Sequence, residues 1–163
     1  SKTKSTSISE NAADDLVNKI NNLIDKEHTD EFSVGRIRND LQESMEENAK
    51  IFRSEETLSK QTEILENLRE RYENVTIFDK GKVFNTELME AIELDYLLDM
   101  SESTVASALA RKESRGAHSR QDFPDRDDGN FMKHSFAFKN GNSANLRYKD
   151  VELGKYEPME RKY

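Results

Sequence analysis

The residues best placed to do chemistry in this sequence stand close together near position 118. His118 lies between Arg115 and Arg120, and an imidazole can act as a general acid or base near neutral pH. Two neighbouring cations would hold it in its neutral form. No nucleophile or second base is evident beside it, so the surroundings favour a packed or hydrogen-bonded histidine over a catalytic one. The run from Asp125 to Gly129 looks like the start of a calcium loop and fails as one. Such a loop needs Gly at its sixth position and Glu at its twelfth; counted from Asp125 these are Asn130 and Phe136. His118 and His134 with these aspartates match no standard zinc spacing, and the chain has no cysteine, hence no thiolate ligand, thiol nucleophile or disulfide. The glycines are Gly35, Gly81, Gly116, Gly129, Gly141 and Gly154. No two are close enough for the Gly-x-Gly-x-x-Gly turn that receives a dinucleotide pyrophosphate. No catalytic, cofactor-binding or metal-binding residue is assigned.

Arg111 to Asn130 nevertheless concentrates charge as few loops do, with four arginines, five acidic residues and one histidine. Such residues can pair with one another or reach to another surface. A solvated charged loop is the bland reading, since exposed charge runs usually contribute little. The other reading is a docking surface made of Glu113, Ser114, Arg115, Gly116, His118, Arg120, Asp122, Pro124, Arg126, Asp127 and Asp128.

The elements that must hold this segment are helices. Ala13, Leu16, Val17, Ile20, Leu23 and Ile24 recur at three- and four-residue steps, which predicts a first helix over residues 9–27, with Ser9 or Asn11 as cap. Val34, Ile37, Leu41, Met45 and Phe52 form the stripe of a second, capped by Ser33. Leu58, Leu65, Leu68 and Tyr72 form that of a third, opened by Ser54 with Glu55 and Glu56 at the positive end of its dipole. After a loop over 74–82, a fourth helix is expected over 85–112, with Leu88, Ala91, Ile92, Leu97 and Leu98 apolar and a second half rich in small residues. Beyond the charged segment, 131–138 and 145–153 read as strands joined at Lys139-Asn140-Gly141-Asn142, a hairpin turn signal. Residues 1–8 read as a disordered polar leader, or as the place where a longer chain is cut. The expected organisation is a helical bundle over 9–112, with 113–163 packing on it as charged segment, hairpin and tail.

Composition agrees with a surface-rich helical protein. Hydrophobic residues are 34%, charged residues 36%, and Gly and Pro number only 6 and 2. The net charge of -8 and the lack of any sustained Lys/Arg block argue against nucleic-acid binding. No apolar run approaches the ~20 residues of a membrane span.

One stretch carries a family resemblance. Glu113-Ser114-Arg115-Gly116-Ala117-His118-Ser119-Arg120 followed by Asp122-Phe123-Pro124-Asp125-Arg126-Asp127-Asp128 closely resembles a signature near the C-terminus of succinate dehydrogenase and fumarate reductase flavoproteins. Asn130 to Ser135, Phe84-Asn85-Thr86, Glu93-Leu94-Asp95 and the ending Pro158 to Tyr163 agree with it. The resemblance implies an all-α fold: an antiparallel three-helix, spectrin-repeat-like bundle, with an extra short helix allowed, then an irregular charged segment and a short C-terminal β-hairpin. The full subunits of that family bind FAD, interconvert succinate and fumarate by hydride transfer, and pass electrons to an iron–sulfur subunit and on to quinone. The implied partners are the upstream flavin-binding domain of the same subunit and the iron–sulfur subunit. The implied place is the cytoplasmic, inner face of a membrane, within a respiratory complex. The flavin loop and the substrate motifs belong to upstream domains, so the expected role is structural and interface-forming, without a flavin or substrate site. L-Aspartate oxidase shares the architecture, and a free-standing helical interaction module is the alternative.

Overall fold

The computed structural model describes residues 11–141, 143–156 and 158–159. The expected leader, Asn142 of the turn signal and the last four residues lie outside them. Helix α1 spans Ala12–Asp25, α2 Val34–Asn48, α3 Glu55–Glu73 and α4 Thr86–Ala110. A fifth helix of one turn, α5, covers Asp128–Phe131. Strands β1 (Phe52–Arg53) and β2 (Ser119–Arg120) pair with each other, as do β3 (Lys133–Asn140) and β4 (Ser143–Asp150).

Helices α2, α3 and α4 form the bundle. Arg71 pairs with Asp40 and Lys60 with Glu47, which fixes α2 and α3 as antiparallel. Tyr72 donates to the Ala91 carbonyl while Arg69 reaches as far as Glu102, so α4 runs back along α3. The core stripe falls at helical spacing: Val34, Ile37 and Leu41 from α2, Leu58, Leu65, Leu68 and Tyr72 from α3, Ala91, Leu94, Leu98 and Val105 from α4. Several expected positions differ. Helix α2 stops at Asn48 rather than at Phe52, and Phe52 is exposed on β1. Leu97 faces outward and Leu94 takes its place in the core. Helix α1 docks through Leu23 and Ile24, with Leu16 and Val17 left exposed near its start.

Among the four long helices, two starts are capped by side chains. Ser54 and Thr57 bond reciprocally in a capping box at α3, and the Asn85 Oδ1 accepts from the Leu88 amide at α4. Asn11 and Ser33 occupy the cap positions of α1 and α2 without a side-chain bond to the helix. Just before Asn85, Phe84 takes a positive φ of 53° and is 97% exposed. The Asn85 amide explains the bend: it holds the carbonyls of Asp79 and Gly81 and so turns the loop sharply into α4.

The C-terminal hairpin is antiparallel, with Ala137 opposite Leu146 and Lys139 opposite Ala144. Lys139 reaches Asp99 of α4, at 2.7 Å, so its face of the hairpin lies on the bundle. Side chains alternate across a strand; Phe136 and Phe138 therefore turn the other way and are half-exposed. Arg147 stacks over Phe138, its guanidinium carbon 4.9 Å from the ring centre.

Candidate functional site

The charged segment closes one end of the bundle, and its two most buried residues are of opposite charge. Arg120 and Glu113 are both fully buried. A charge can be buried only where it is paired and its hydrogen-bonding groups are matched, and each of these is.

Arg120 uses all five of its N–H groups. Its Nε and Nη2 grip the Asp122 carboxylate side-on, both at 2.8 Å, and Nη2 also reaches Glu55 at 2.9 Å. Nη1 donates to the carbonyls of Ala108 and Leu109 at 3.0 and 3.1 Å. Those carbonyls end α4 and carry the negative end of its dipole. Asp122 in turn accepts from the Glu55 amide, at 2.8 Å, the first free amide of α3. One ion pair thus satisfies the C-terminus of α4 and the N-terminus of α3 together. The bonds from Arg120 hold the Asp122 carboxyl well below the usual carboxylate range. The strand pairing lies directly behind: Phe52 and Arg53 run parallel to Ser119 and Arg120, and the Gln121 amide donates to the Arg53 carbonyl at 2.8 Å.

Glu113 is the second hub. It accepts from Arg111 at 2.6 Å, from Arg115 through both Nε and Nη2 at 2.8 and 2.9 Å, and from the Asp127 amide at 2.8 Å. Burial pushes its carboxyl up, and these donors outweigh burial and leave it below its ordinary value. Arg115 continues to Asp128 at 2.6 Å, and Arg126 grips the same carboxylate. With two guanidiniums on it, Asp128 is pulled down to about 2. Asp127 caps α5 by accepting from the Asn130 amide. Ser114 ties the loop inward, donating to the Phe123 carbonyl at 2.8 Å and accepting from the Arg120 amide at 2.9 Å. Gly116 has φ of +60° in a two-residue turn closed by mutual Arg115–His118 backbone bonds; a glycine takes that backbone conformation without a steric penalty. Pro124 and Asp125 remain exposed on the outer side.

His118 is neither free nor aimed at a reactive group. Its Nε2 lies 3.1 Å from the Arg111 carbonyl and its Nδ1 3.0 Å from Nη1 of Arg53. A carbonyl only accepts and a guanidinium only donates, so the ring is neutral with its proton on Nε2. Burial, and the nearby cations Arg53, Arg120 and Arg111, push its pKa down. Neutrality was expected from Arg115 and Arg120; Arg53, on strand β1 and distant in sequence, is the cation in contact.

Arg53 and Arg69 escaped the sequence reading. Arg69 is buried in α3 and binds Asp95, Asp99 and Glu102 of α4 at 2.6, 2.6 and 2.8 Å. The acids at positions 95, 99 and 102 share one helical face, and that acidic stripe on a helix without a single basic residue is the signal that could have found it. Nothing local marks Arg53.

Among the described residues no cluster of His, Asp or Glu is arranged to hold a metal ion, and no helix is long and apolar enough to cross a membrane. They also contain no glycine-rich turn between a parallel strand and a helix, the cradle a dinucleotide needs. No step of flavin chemistry is assigned to the described residues.

Residues 38–163 match the family model described as fumarate reductase flavoprotein C-term. The chain is 38% identical over 152 residues to the fumarate reductase flavoprotein subunit of Haemophilus influenzae, covering 93% of this chain and 25% of that protein. It is 37% identical over 147 residues to the succinate dehydrogenase flavoprotein subunit of Rickettsia bellii, covering 90% and 24%. Among solved structures, a quinol-fumarate reductase with menaquinol molecules superposes with a TM-score of 0.85 at 34% identity, covering 95% of this chain and 28% of that one. The chain therefore spans about a quarter of the length of the relatives it matches.

Proposed function

This chain belongs to the fumarate reductase flavoprotein C-terminal family, and from that premise we propose that it is the helical support domain of a subunit that interconverts succinate and fumarate. In that subunit FAD is held by the upstream domain and exchanges hydride with the substrate. Electrons then pass to an iron–sulfur subunit and on to quinone, in a complex at the inner, cytoplasmic face of a membrane. Relatives named as fumarate reductase and succinate dehydrogenase flavoprotein subunits, and a solved quinol-fumarate reductase, support this reading. This chain contributes shape and contact surface.

The bundle over 9–112 and the segment, hairpin and tail over 113–163 act as one domain. Its docking surface on the flavin-binding domain is the stretch Glu113 to Asp128. The observation that carries this is the division of labour within the stretch. Arg120 and Glu113 are consumed inside and make the loop rigid. Gly116, Asp122, Pro124, Asp125 and Asp128 stay exposed on that rigid frame. A preformed polar surface binds without an ordering cost.

The test uses the full flavoprotein subunit. Reversing the exposed charge of Asp125, whose side chain takes no part in the Arg120 or Glu113 hubs, with Asp125→Lys should increase protease cleavage between the flavin domain and this domain and lower recovery with the iron–sulfur subunit. Unchanged cleavage and recovery would remove the docking role from this segment. Purified alone, the chain should show no flavin absorbance and no succinate oxidation.

A further inference from the structure

Beside the clamp, a cleft of about 520 Å³ opens between α4, Arg53 and the first residues of β3. Arg53, Arg111 and Lys133 supply its charge, His118 and His134 line it, and Ser107 adds a hydroxyl. No carboxylate lines it, although the chain carries 33 acidic residues against 25 basic ones.

Arg53 distinguishes this cleft from ordinary surface charge. Arg69, Arg111, Arg115, Arg120 and Arg126 each contact a carboxylate at 2.9 Å or less. Arg53 is half-buried and, among the described residues, pairs with none. Its Nε is spent on the carbonyls of Ala49 and Lys50, and Nη1 on His118. Its Nη2 donates to no described residue. Arg111 is already committed to Glu113 and to the carbonyls of Phe131 and Lys133. A partly desolvated guanidinium held in one orientation without a counterion is a standing cost, relieved when a carboxylate arrives. Burial lowers the Arg53 pKa, in keeping with that cost.

We propose that this cleft receives an aspartate or glutamate side chain from the part of the flavoprotein subunit outside this chain. The planar guanidinium matches a carboxylate in shape as well as charge, and Lys133 and the Ser107 hydroxyl can share its second oxygen. The occupant comes from the same polypeptide because about three-quarters of the relatives' length lies beyond the region matched here. Covalent attachment keeps that portion at an effective concentration a free anion does not reach. The inference rests on the reading that this domain docks on the rest of its subunit, and adds a second contact, across the cleft, to the one proposed for the charged segment.

A carbodiimide, which joins an amine to a carboxylate in direct contact, tests it in the full subunit. Mass spectrometry should find Lys133 joined to an Asp or Glu outside this chain. Arg53→Gln should lower that product roughly tenfold, as expected for losing a charged hydrogen bond. The internal Lys19–Asp95 pair serves as the folding control. If Arg53→Gln also loosens α2 and the control is lost, Ser107→Asp replaces it: a carboxylate built into the cleft should displace the external one and abolish the Lys133 product. In the unsubstituted subunit, Lys133 joined only to acids of this chain, or an external product that survives Ser107→Asp with the control intact, would overturn the proposal. If Lys112 but not Lys133 couples to the flavin domain, docking stands and the cleft contact fails. If no lysine of this chain couples to it, both fail. Inorganic phosphate that raises the melting temperature of the full subunit only when Arg53 is present would show the cleft open to small anions, and would also overturn the carboxylate occupant.

Discussion

Replacing Arg120 with alanine removes five hydrogen bonds and one fully buried charge in a single step. Breaking a buried ion pair from one side costs about 3–5 kcal/mol, because the remaining charge is left without its partner. Here Asp122 has partial access to water and keeps its bond from the Glu55 amide, which moves the electrostatic loss to the low end of that range. The carbonyls of Ala108 and Leu109 then lose their acceptor bonds, worth about 1 kcal/mol together or somewhat more. The sum is about 4 kcal/mol. For a domain of this size each kcal/mol moves the midpoint by about 2–4 °C, so the melting temperature should fall by about 8–16 °C in a circular dichroism scan. Arg120→Lys keeps the charge, but an ammonium cannot reach both helix ends and the side-on carboxylate at once, so its loss should be intermediate. Combining Arg120→Ala with Asp122→Asn should show a coupling of about 1–3 kcal/mol in a double-mutant cycle. A fall below about 3 °C for Arg120→Ala would refute the view that this residue fastens α3 to α4.

Acid should unfold the chain through the same hubs. Glu113, Asp122 and Asp128 all titrate lower in the fold than in the unfolded chain. Their stabilisation is therefore complete above the unfolded carboxyl range, near pH 4. It is lost as pH falls from there toward 2, and melting temperatures measured from pH 7 to 2 should trace that drop. His118 adds an earlier, smaller decline: its folded pKa is lowered, so protons favour the unfolded chain below about pH 6.5. Nitrogen NMR should find its proton on Nε2 at neutral pH, and a proton on Nδ1 instead would contradict the Arg53 contact. Gly116→Ala should cost about 1 kcal/mol, all of it from the +60° backbone, since a Cβ there meets nothing within 4 Å. Gly35→Ala in α2, equally open but helical, should instead raise stability by about 0.5 kcal/mol; chemical denaturation separates the two signs.

The helices were legible because burial at three- and four-residue steps leaves a mark in the sequence. Leu58, Leu65, Leu68 and Tyr72 all lie where the period puts them. Helix ends were less legible. Phe52 continues the α2 stripe by number, yet the helix stops at Asn48, whose amide turns back onto the Ser44 carbonyl and across to Gln61 of α3. The hairpin was legible through Asn140-Gly141, but its second strand starts two residues before the expected position and ends three residues short of it. The segment from Glu113 to Asp128 stood out by composition alone, but its inward and outward residues could not be sorted from sequence. Arg120 and Arg126 look alike there; one is fully buried and the other only partly. What separates them is contact with Glu55 and with the end of α4, and such long-range partners leave no local pattern. Arg53 and its parallel pairing with β2 were invisible for the same reason.

The Arg120 clamp also sets an order of events during synthesis. Its partners Glu55 and Arg120 are 65 residues apart, and chains are made and begin to fold from the N-terminus. Helices α2, α3 and α4 are complete while the residues that join the start of α3 to the end of α4 are still unmade. Until then the end of α4 lacks those donors and the start of α3 keeps only its Ser54–Thr57 cap, so the bundle is less firmly closed at that end. Adding the stretch to Asp122 shuts it. A chain stopped after Ala110 should accordingly exchange the amide hydrogens at the start of α3 and the end of α4 much faster than one stopped after Phe123, with the middle of the bundle little changed.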